Sequence, residues 1–171
     1  MNNKILILGI SGMCGNTLFR YFKTKNLDTY GIVRNKEKIS SFNNIDFDKN
    51  IIEADCKNIN FLKKLFEEIR PNVVINCIGL IKQKSEGKDK KNSIVVNSLF
   101  PHLLNEICVQ FESRLIQIST DCVFSGSKGS YKEEDIPDAK DLYGKTKFLG
   151  EIYNESSITL RTSLIGYELN S

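Results

Sequence analysis

A glycine-rich turn near the N-terminus constrains the fold more than any other feature of the sequence. The apolar run at residues 4–8 leads directly into Gly9-Ile-Ser-Gly12-Met-Cys-Gly15, and residues 16–25 follow with apolar side chains at helical spacing. Glycine permits a positive φ, a close approach of the backbone to a phosphate, and tight packing of the helix on the strand. The start of that helix would present N–H groups and a partial positive charge to the phosphates. The turn therefore predicts a nucleotide-binding βα unit; a tight βα turn without a ligand is the alternative.

Short β-branched runs alternate with longer amphipathic stretches along the rest of the chain. The expected strands are residues 4–8, 29–33, 50–54, 73–77, 114–118 and 158–161, and the expected helices are residues 16–25, 58–69, 93–111 and 141–154. Because the strands are uniformly apolar, we expect helices to cover both faces of the sheet. The alternation implies right-handed crossovers between parallel strands. The expected fold class is α/β, a doubly wound parallel sheet of the Rossmann type with about six strands.

Length and composition are those of one ordinary globular domain. The 171 residues are 40% hydrophobic and 26% charged, which excludes disordered and collagen-like classes. The net charge of +3 is too weak and too evenly spread to indicate a nucleic-acid partner. No apolar run reaches the ~20 residues of a membrane helix, and the N-terminus lacks the features of a signal peptide. We therefore expect a cytoplasmic protein with neither a nucleic-acid nor a membrane partner.

The cysteines and the histidine argue against several kinds of site. Five widely spaced cysteines without a C-x-x-C pair predict neither a disulfide framework nor a zinc site, and they are typical of reduced thiols. His102 is the only histidine, so the chain can form neither a Ser-His-Asp triad nor a histidine-rich metal site. We expect no metal, interpret His102 as a packing residue, and expect Cys14 in the glycine turn to pack against a cofactor.

The end of the second strand indicates which dinucleotide binds. An acidic residue there would hold the ribose hydroxyl of NAD, whereas a basic residue would accept the phosphate of NADP. The strand ends at Arg34, with Lys36 and Lys38 nearby and no carboxylate at the tip. NADP(H) is therefore favoured over NAD(H), with Arg34 as the phosphate partner, although Arg34 could also be an ordinary surface cation. Asp55 should meet the adenine, and residues 77–79 should run along the cofactor.

Two later segments place hydroxyl and amino groups at the same edge of the sheet. Thr120 follows the fifth strand, and Tyr143 and Lys147 are four residues apart on one face of the next helix. A tyrosine with an ordinary pKa of ~10 needs a nearby cation to titrate near neutrality, and Lys147 can supply it. Tyr143 would then protonate a carbonyl oxygen as hydride arrives at its carbon, Thr120 would hydrogen-bond the same oxygen, and Lys147 would also hold the nicotinamide ribose.

The bare Y-x-x-x-K pattern occurs twice in the chain, so the pattern alone has little weight. Tyr21 and Lys25 form the second copy, on the first helix. That copy has no hydroxyl partner after a strand, whereas Tyr143 is preceded by Ser119-Thr120-Asp121. We therefore expect Tyr143 to be the catalytic tyrosine.

The chain resembles the extended short-chain dehydrogenase/reductases, and among them the dTDP-4-dehydrorhamnose reductase group, which makes nucleotide-activated deoxysugars for bacterial surface polysaccharides. The motifs that carry the resemblance are the glycine turn, Asn76-Cys77-Ile78-Gly79, Val96-Asn97 with Pro101, residues 119–126, Tyr131 with Glu133 and Asp135, Tyr143-Gly-Lys-Thr-Lys147 with Gly150-Glu151, and Leu160-Arg161-Thr162. The resemblance implies Thr120, Tyr143 and Lys147 as the catalytic residues. It also implies Asn97 as an active-site support.

The full set of cofactor-binding residues expected from the residues and the resemblance together is Gly9, Ser11, Gly12, Met13, Cys14, Gly15, Arg34, Asp55, Cys56, Cys77, Ile78, Gly79, Asn97, Ser119, Tyr143 and Lys147.

The resemblance implies an NADP-dependent reductase whose substrate is a nucleotide-activated 4-keto-6-deoxy sugar. Two departures from the reductase pattern, Cys122 and Ser125, point to a neighbouring subgroup acting on a related sugar. Cys122 also lacks the carboxylate with which related dehydratases eliminate water, so reduction is favoured over dehydration. A sugar-nucleotide epimerase and a non-catalytic NADP-binding regulatory subunit are the alternatives, and a homodimer is left open.

The family resemblance also bears on domain organisation. Extended family members continue well past the sixth strand, whereas ten residues follow Arg161 here. We expect residues 1–171 to be an NADP-binding Rossmann domain with the catalytic Tyr and Lys. The C-terminal substrate-binding lobe would be largely absent from it, so that the isolated chain turns over sugar poorly.

The polar stretch at residues 82–91 is interpreted as a solvated loop, with a patch that binds substrate as the alternative.

Overall fold

Six parallel strands form a single sheet in the computed structural model, which describes residues 3–40, 49–81 and 89–166. The strands are β1 Ile5–Leu8, β2 Thr29–Val33, β3 Ile51–Glu53, β4 Val73–Asn76, β5 Arg114–Ser119 and β6 Ser157–Arg161. Their order is β3-β2-β1-β4-β5-β6, and every neighbouring pair is parallel. The predicted doubly wound fold is confirmed. Successive strands are added on one side of β1 as far as β3 and on the other side from β4 onward. In such sheets ligands bind at the carboxyl ends of the strands where this order reverses, here between β1 and β4.

Helices connect these strands. They are α1 Met13–Thr24, α2 Glu37–Ser40, α3 Ile59–Ile69, α4 Lys90–Ser93, α5 Phe100–Gln110 and α6 Leu142–Leu149. A π-helical segment, Ile94–Leu99, joins α4 to α5, and a short 3-10 helix, Asp121–Val123, follows β5. Within the three described ranges, no helix has the length and apolar character needed to cross a bilayer. Most of the polar stretch expected to be a loop, residues 82–88, lies outside the described residues.

The core consists of two apolar layers, one on each face of the sheet. Leu6 and Leu8 of β1 point into the layer that contains Phe66 of α3 and Leu104 of α5. Ile7, between them, points into the opposite layer. This alternation follows from the two-residue period of a strand, and burial of both faces explains why the strands are continuous apolar runs.

Uniform burial does not extend to β6, and for this strand the prediction of two covered faces is wrong. Ile158 and Leu160 of β6, the last strand of the sheet in the described structure, are 40% and 41% exposed, so one face of this strand is not covered. The helix predicted to reach residue 154 also ends early, at Leu149, where Gly150 caps it.

The helix predicted at residues 93–111 contains an irregularity that periodicity did not reveal. The Phe100 N–H donates to the Val95 carbonyl, a bond one residue longer than that of an α-helix. Pro101 has no N–H to offer the carbonyl of Asn97, four residues earlier, and its ring crowds that carbonyl. Widening into a π-helical turn relieves this crowding, and such turns occur mostly at functional sites.

Candidate functional site

A cavity of about 410 Å³ lies at the carboxyl ends of β1, β2, β3 and β4. It brings together many of the predicted cofactor residues, namely Gly9, Ser11, Gly12, Arg34, Asp55, Cys56, Cys77, Ile78 and Gly79. The remaining lining residues were not predicted: Ile32, Val33, Asn35, Ala54, Lys57, Leu80, Asn92, Val96 and Phe100. Several of these are apolar residues at strand and helix ends, which form an apolar wall suited to a ring system.

The glycine turn has the geometry of an anion cradle. Gly9 has a φ of +86°, and a Cβ atom at Gly15 would lie 2.4 Å from the Gly9 carbonyl oxygen, so both positions require glycine. Gly12 is the N-cap of α1, and the first turn of that helix carries no acidic side chain. The positive end of the helix therefore faces the cavity, and no carboxylate of its own first turn offsets it, as a pyrophosphate would require.

Two cations line the cavity where β2 and β3 end. Arg34 is exposed and follows β2, and Lys57 lies 3.8 Å from the Asp55 carboxylate after β3. Lys57 was not predicted, because it follows a short strand in a polar stretch that shows no motif. Arg34 gives this end of the cavity the positive charge that a phosphate on the adenosine ribose would need, whereas the Asp55 carboxylate offsets the charge of Lys57.

The Lys147 side chain lies deep between α6 and the segment that follows β4, residues 77–81, hereafter the β4 loop. Its ammonium donates to the Ile118 carbonyl at 2.7 Å, and the side chain is 6% exposed. A Cβ atom at Gly79 would lie 3.7 Å from its Nζ, so the predicted cofactor path passes beside the ammonium. Burial lowers the pKa of Lys147 to about 8, against the raising effect of the Glu151 carboxylate.

Asn97, in the π-helical segment, clamps the β4 loop to α6. Its side-chain oxygen accepts the Leu80 N–H at 2.8 Å, and its amide donates to the Leu80 carbonyl at 3.1 Å and to the Thr146 hydroxyl at 3.2 Å. Gly150 makes room for this arrangement, because a Cβ atom there would lie 1.9 Å from the Asn97 carbonyl oxygen. Asn97 does not line the cavity; it holds two of the segments that border it.

The predicted hydroxyl and tyrosine lie on segments that pack directly together. Thr120 caps the 3-10 helix: its hydroxyl accepts the Cys122 N–H at 3.1 Å and donates to the Asp121 carboxylate at 3.2 Å. Gly144, next to half-buried Tyr143, contacts this turn so closely that a Cβ atom would lie 2.2 Å from the Cys122 carbonyl oxygen. The turn bearing Thr120 is thus fixed against the start of α6.

A buried ion pair ties β5, β6 and the end of α6 together. Arg161 donates to both oxygens of the Glu151 carboxylate, at 2.9 and 2.8 Å. Ser119, which pairs with Arg161 in the sheet, donates to Glu151 at 2.8 Å, and Tyr153 donates to it as well. Burial acts to raise the pKa of Glu151, but the hydrogen bonds from Arg161, Tyr153 and Ser119 outweigh it and hold that pKa below its usual value.

This pairing was not predicted from the residues, although Gly150-Glu151 and Leu160-Arg161 were among the motifs of the resemblance. Ser119 was expected to contact a cofactor, and its hydroxyl is instead bonded to Glu151. The guanidinium of Arg161 also stacks over Phe124, 5.1 Å from the ring centre, which connects the pair to the loop after β5.

The two departures from the reductase pattern have structural partners. Ser125 donates to the Asp138 carboxylate at 2.6 Å, and its N–H donates to the same carboxylate at 2.7 Å, which closes the loop after β5. The Cys122 N–H donates to the Thr120 hydroxyl.

His102 is exposed, and its Nε2 lies 2.8 Å from the Leu149 carbonyl at the end of α6, so it supports that helix end.

Several predicted cofactor residues lie outside the cavity lining. They are Met13, Cys14, Gly15, Asn97, Ser119, Tyr143 and Lys147. Cys14 faces Cys77, with their sulfurs 3.8 Å apart. The second Tyr-Lys pair is elsewhere: Tyr21 is 54% exposed on α1, with the Lys25 ammonium 5.5 Å from its ring centre.

Comparisons with known proteins identify the family. The family model described as RmlD substrate binding domain matches residues 3–166. The dTDP-4-dehydrorhamnose reductase of Aggregatibacter actinomycetemcomitans is 33% identical over 116 residues, covering 65% of this chain and 40% of that protein. The methionine adenosyltransferase 2 subunit beta of Bos taurus is 27% identical over 163 residues, covering 88% of this chain and 42% of that protein.

A solved structure extends the comparison. The crystal structure of dTDP-4-dehydrorhamnose reductase from Bacillus anthracis in complex with NADP has a TM-score of 0.74 and 25% identity to this chain. The match covers 94% of this chain and 53% of that one. The chain thus spans about half the length of the relatives that it matches.

Proposed function

Because the chain belongs to the RmlD substrate-binding domain family, we propose that it supplies the cofactor site and catalytic residues of an NADP(H)-dependent sugar-nucleotide reductase. The substrate would be a nucleotide-activated 4-keto-6-deoxy sugar. The observation that carries the proposal is the packing of the Thr120 turn on α6, with buried Lys147 next to Gly79 at the cavity edge. The NADP complex of the Bacillus anthracis relative supports a nicotinamide cofactor, and the preference for NADP(H) rests on Arg34 at the end of β2.

The residues fit a dinucleotide in one orientation. The glycine turn and the N-terminus of α1 would hold the pyrophosphate, and Arg34 would hold the ribose phosphate at the other end. Gly79 would then lie along the nicotinamide half, beside the Lys147 ammonium. When bound, the reduced nicotinamide supplies a hydride.

Proton delivery is the task of this chain's own side chains. Tyr143 would donate its hydroxyl proton to the 4-keto oxygen of the substrate, which would become the hydroxyl of the C4 alcohol. Thr120 donates a hydrogen bond to the same oxygen and so stabilises the developing negative charge. Lys147, one helical turn after Tyr143, supplies positive charge that favours loss of the tyrosine proton, because an opposite charge lowers a phenol's pKa.

The test is NADPH oxidation by the complete product of the reading frame that encodes this chain, with dTDP-4-dehydrorhamnose as substrate. We expect Tyr143→Phe to lower kcat by about a hundredfold or more while NADPH still binds. Tyr21→Phe, in the second Y-x-x-x-K pattern, is the matched control and should retain full activity. Equal activity of the two variants would overturn the proposal.

A regulatory subunit is the second candidate, and the similarity to methionine adenosyltransferase 2 subunit beta favours it. Such a protein would bind NADPH and leave every sugar nucleotide unreduced. An epimerase would interconvert sugar nucleotides without net consumption of NADPH. The oxidation assay, run together with analysis of the sugar product, separates these three functions.

A further inference from the structure

Two cysteines face each other at the base of the predicted pyrophosphate site. Cys14 lies in the first turn of α1, and Cys77 directly follows β4. They are 63 residues apart in sequence, yet their sulfurs are 3.8 Å apart and both side chains are half-buried. Of the other cysteines, Cys56 and Cys108 are buried.

The two sulfurs differ in acidity in a way that suits thiol oxidation. The hydrogen bond from the Cys77 thiol lowers the pKa of Cys14 to about 7, although burial opposes this. The same hydrogen bond, together with burial, raises the pKa of Cys77, so Cys77 keeps its proton. By contrast, burial raises the pKa of Cys56 and of Cys108 to about 12. Because the thiolate is the reactive form, Cys14 is the best nucleophile of these four, and the start of a helix favours it further.

We propose that Cys14 and Cys77 are a redox-sensitive pair that forms a disulfide with a peroxide and thereby weakens nucleotide binding. The Cys14 thiolate attacks one oxygen of hydrogen peroxide, the O–O bond breaks, and a sulfenic acid forms; the leaving hydroxide takes from solvent the proton that the Cys14 thiol had released and departs as water. Cys77 sulfur then attacks the Cys14 sulfur, the S–O bond breaks, and a second water leaves with the Cys77 proton. The two sulfurs lose two electrons in all, and these reduce one peroxide to two waters.

The effect on binding follows from the position of the pair, and this part rests on the proposed function. A disulfide needs its sulfurs ~2.05 Å apart, so they must approach by about 1.8 Å. Cys77 lines the cavity, and its carbonyl group lies 3.3 Å from the Cβ position of Gly9 in the glycine turn. Closing the bond therefore shifts the turn and the β4 loop against each other where the phosphates would lie. Coupling is reciprocal, so bound nucleotide should slow oxidation.

Peptide mapping of the peroxide-treated chain, without reduction, tests the pair itself. We expect a cross-linked peptide containing Cys14 and Cys77, which dithiothreitol separates. Cys14→Ser and Cys77→Ser should each abolish it, and Cys122→Ser, at a half-buried cysteine outside the pair, should leave it unchanged. Use of both single variants covers the case in which one fails to fold. Absence of the cross-link in the unsubstituted chain, or its persistence in either variant, would overturn the proposal.

Titration of NADPH into the reduced and the oxidised chain tests the coupling. We expect oxidation to weaken binding by about tenfold or more, and NADPH to slow disulfide formation by a similar factor. Equal affinity of the two forms would overturn the coupling. If the reduced chain binds no NADPH, the proposed function fails, and the peptide map alone decides whether the redox pair exists.

Discussion

Gly144 contacts Cys122 so closely that a Cβ atom at Gly144 would lie 2.2 Å from the Cys122 carbonyl oxygen. The contact joins the first turn of α6 to the turn after β5. Tyr143 directly precedes Gly144, and Thr120 lies two residues before Cys122. A backbone contact therefore sets the separation of the Tyr143 and Thr120 hydroxyl groups, both of which we propose to contact the keto oxygen of the substrate.

Gly144→Ala should lower both stability and activity. The methyl group would meet a backbone oxygen, which cannot rotate away, so α6 must shift from the Thr120 turn. We expect a loss of about 1–3 kcal/mol in the free energy of unfolding by urea, together with a lower kcat for the reductase. Lys145→Ala, at the exposed neighbouring position, is the control and should change neither. Normal kcat in Gly144→Ala would contradict the assigned role of this contact.

Removal of one partner of the buried ion pair should lower the free energy of unfolding more than removal of both partners. Arg161→Met leaves the fully buried Glu151 carboxylate without its cation, for which we expect a loss of about 3–5 kcal/mol in urea unfolding. The double variant Glu151→Gln with Arg161→Met should be more stable than Arg161→Met alone, because neither charge of the pair then remains. A double variant that is less stable than the single one would count against this explanation.

The pH dependence of stability should report on Glu151. Its pKa is lower in the folded state than the usual value of 4.5, so the folded state binds this proton less readily. The stabilisation is therefore complete above about pH 4.5 and is lost as the pH falls through the folded pKa. Urea unfolding of the unsubstituted chain and of Glu151→Gln between pH 3 and 7 should converge towards low pH; parallel profiles would refute the lowered pKa.

Lys147 should make stability depend on pH at the alkaline end of the range. Its pKa of about 8 in the folded state lies below the ordinary 10.5, so the unfolded chain binds more protons between these pH values. Stability of the unsubstituted chain should therefore rise there by about 3 kcal/mol relative to Lys147→Met. Lys145→Met, at an exposed position of the same helix, is the control. An unchanged difference between the unsubstituted chain and Lys147→Met from pH 8 to 10.5 would show that Lys147 titrates normally.

Arg34 should determine the choice between the two nicotinamide cofactors. Arg34→Ala removes the cation that would meet the ribose phosphate, so NADPH affinity should fall by about tenfold while NADH affinity stays nearly constant. Arg20→Ala, at an exposed position on α1, is the matched control. Fluorescence titration with both cofactors gives the ratio, and an equal effect of Arg34→Ala on NADH and NADPH would contradict the assignment.

The topology could be predicted because each element carried its own local signal. The apolar runs gave the strands, and the glycine turn gave the β1-α1 unit, whose Gly9 and Gly15 prove to need glycine for steric reasons. The resemblance to the dTDP-4-dehydrorhamnose reductase group is confirmed by the family match. The π-helical segment was missed because the apolar period continues through it; Pro101 was the available signal.

Contacts between distant residues could not be predicted in the same way. The Glu151–Arg161 pair depends on the register of β6 beside β5, and the Cys14–Cys77 contact depends on β1 lying next to β4. No local sequence pattern indicates which strands lie next to each other or in which register they pair. The same holds for Ser119, whose position after an apolar strand suggested a cofactor contact and whose hydroxyl is bonded to Glu151.

Isotope transfer tests the proposed reaction most directly. The complete gene product would be incubated with NADPH carrying two deuterium atoms at C4 of the nicotinamide and with dTDP-4-dehydrorhamnose, and the sugar would be analysed by mass spectrometry. We predict one deuterium at C4 of the product sugar, formed by the unsubstituted protein and by Tyr21→Phe, and at least about a hundredfold more slowly by Tyr143→Phe. An unlabelled sugar, with NADPH bound but not oxidised, would contradict the reductase assignment and leave the regulatory subunit as the better description.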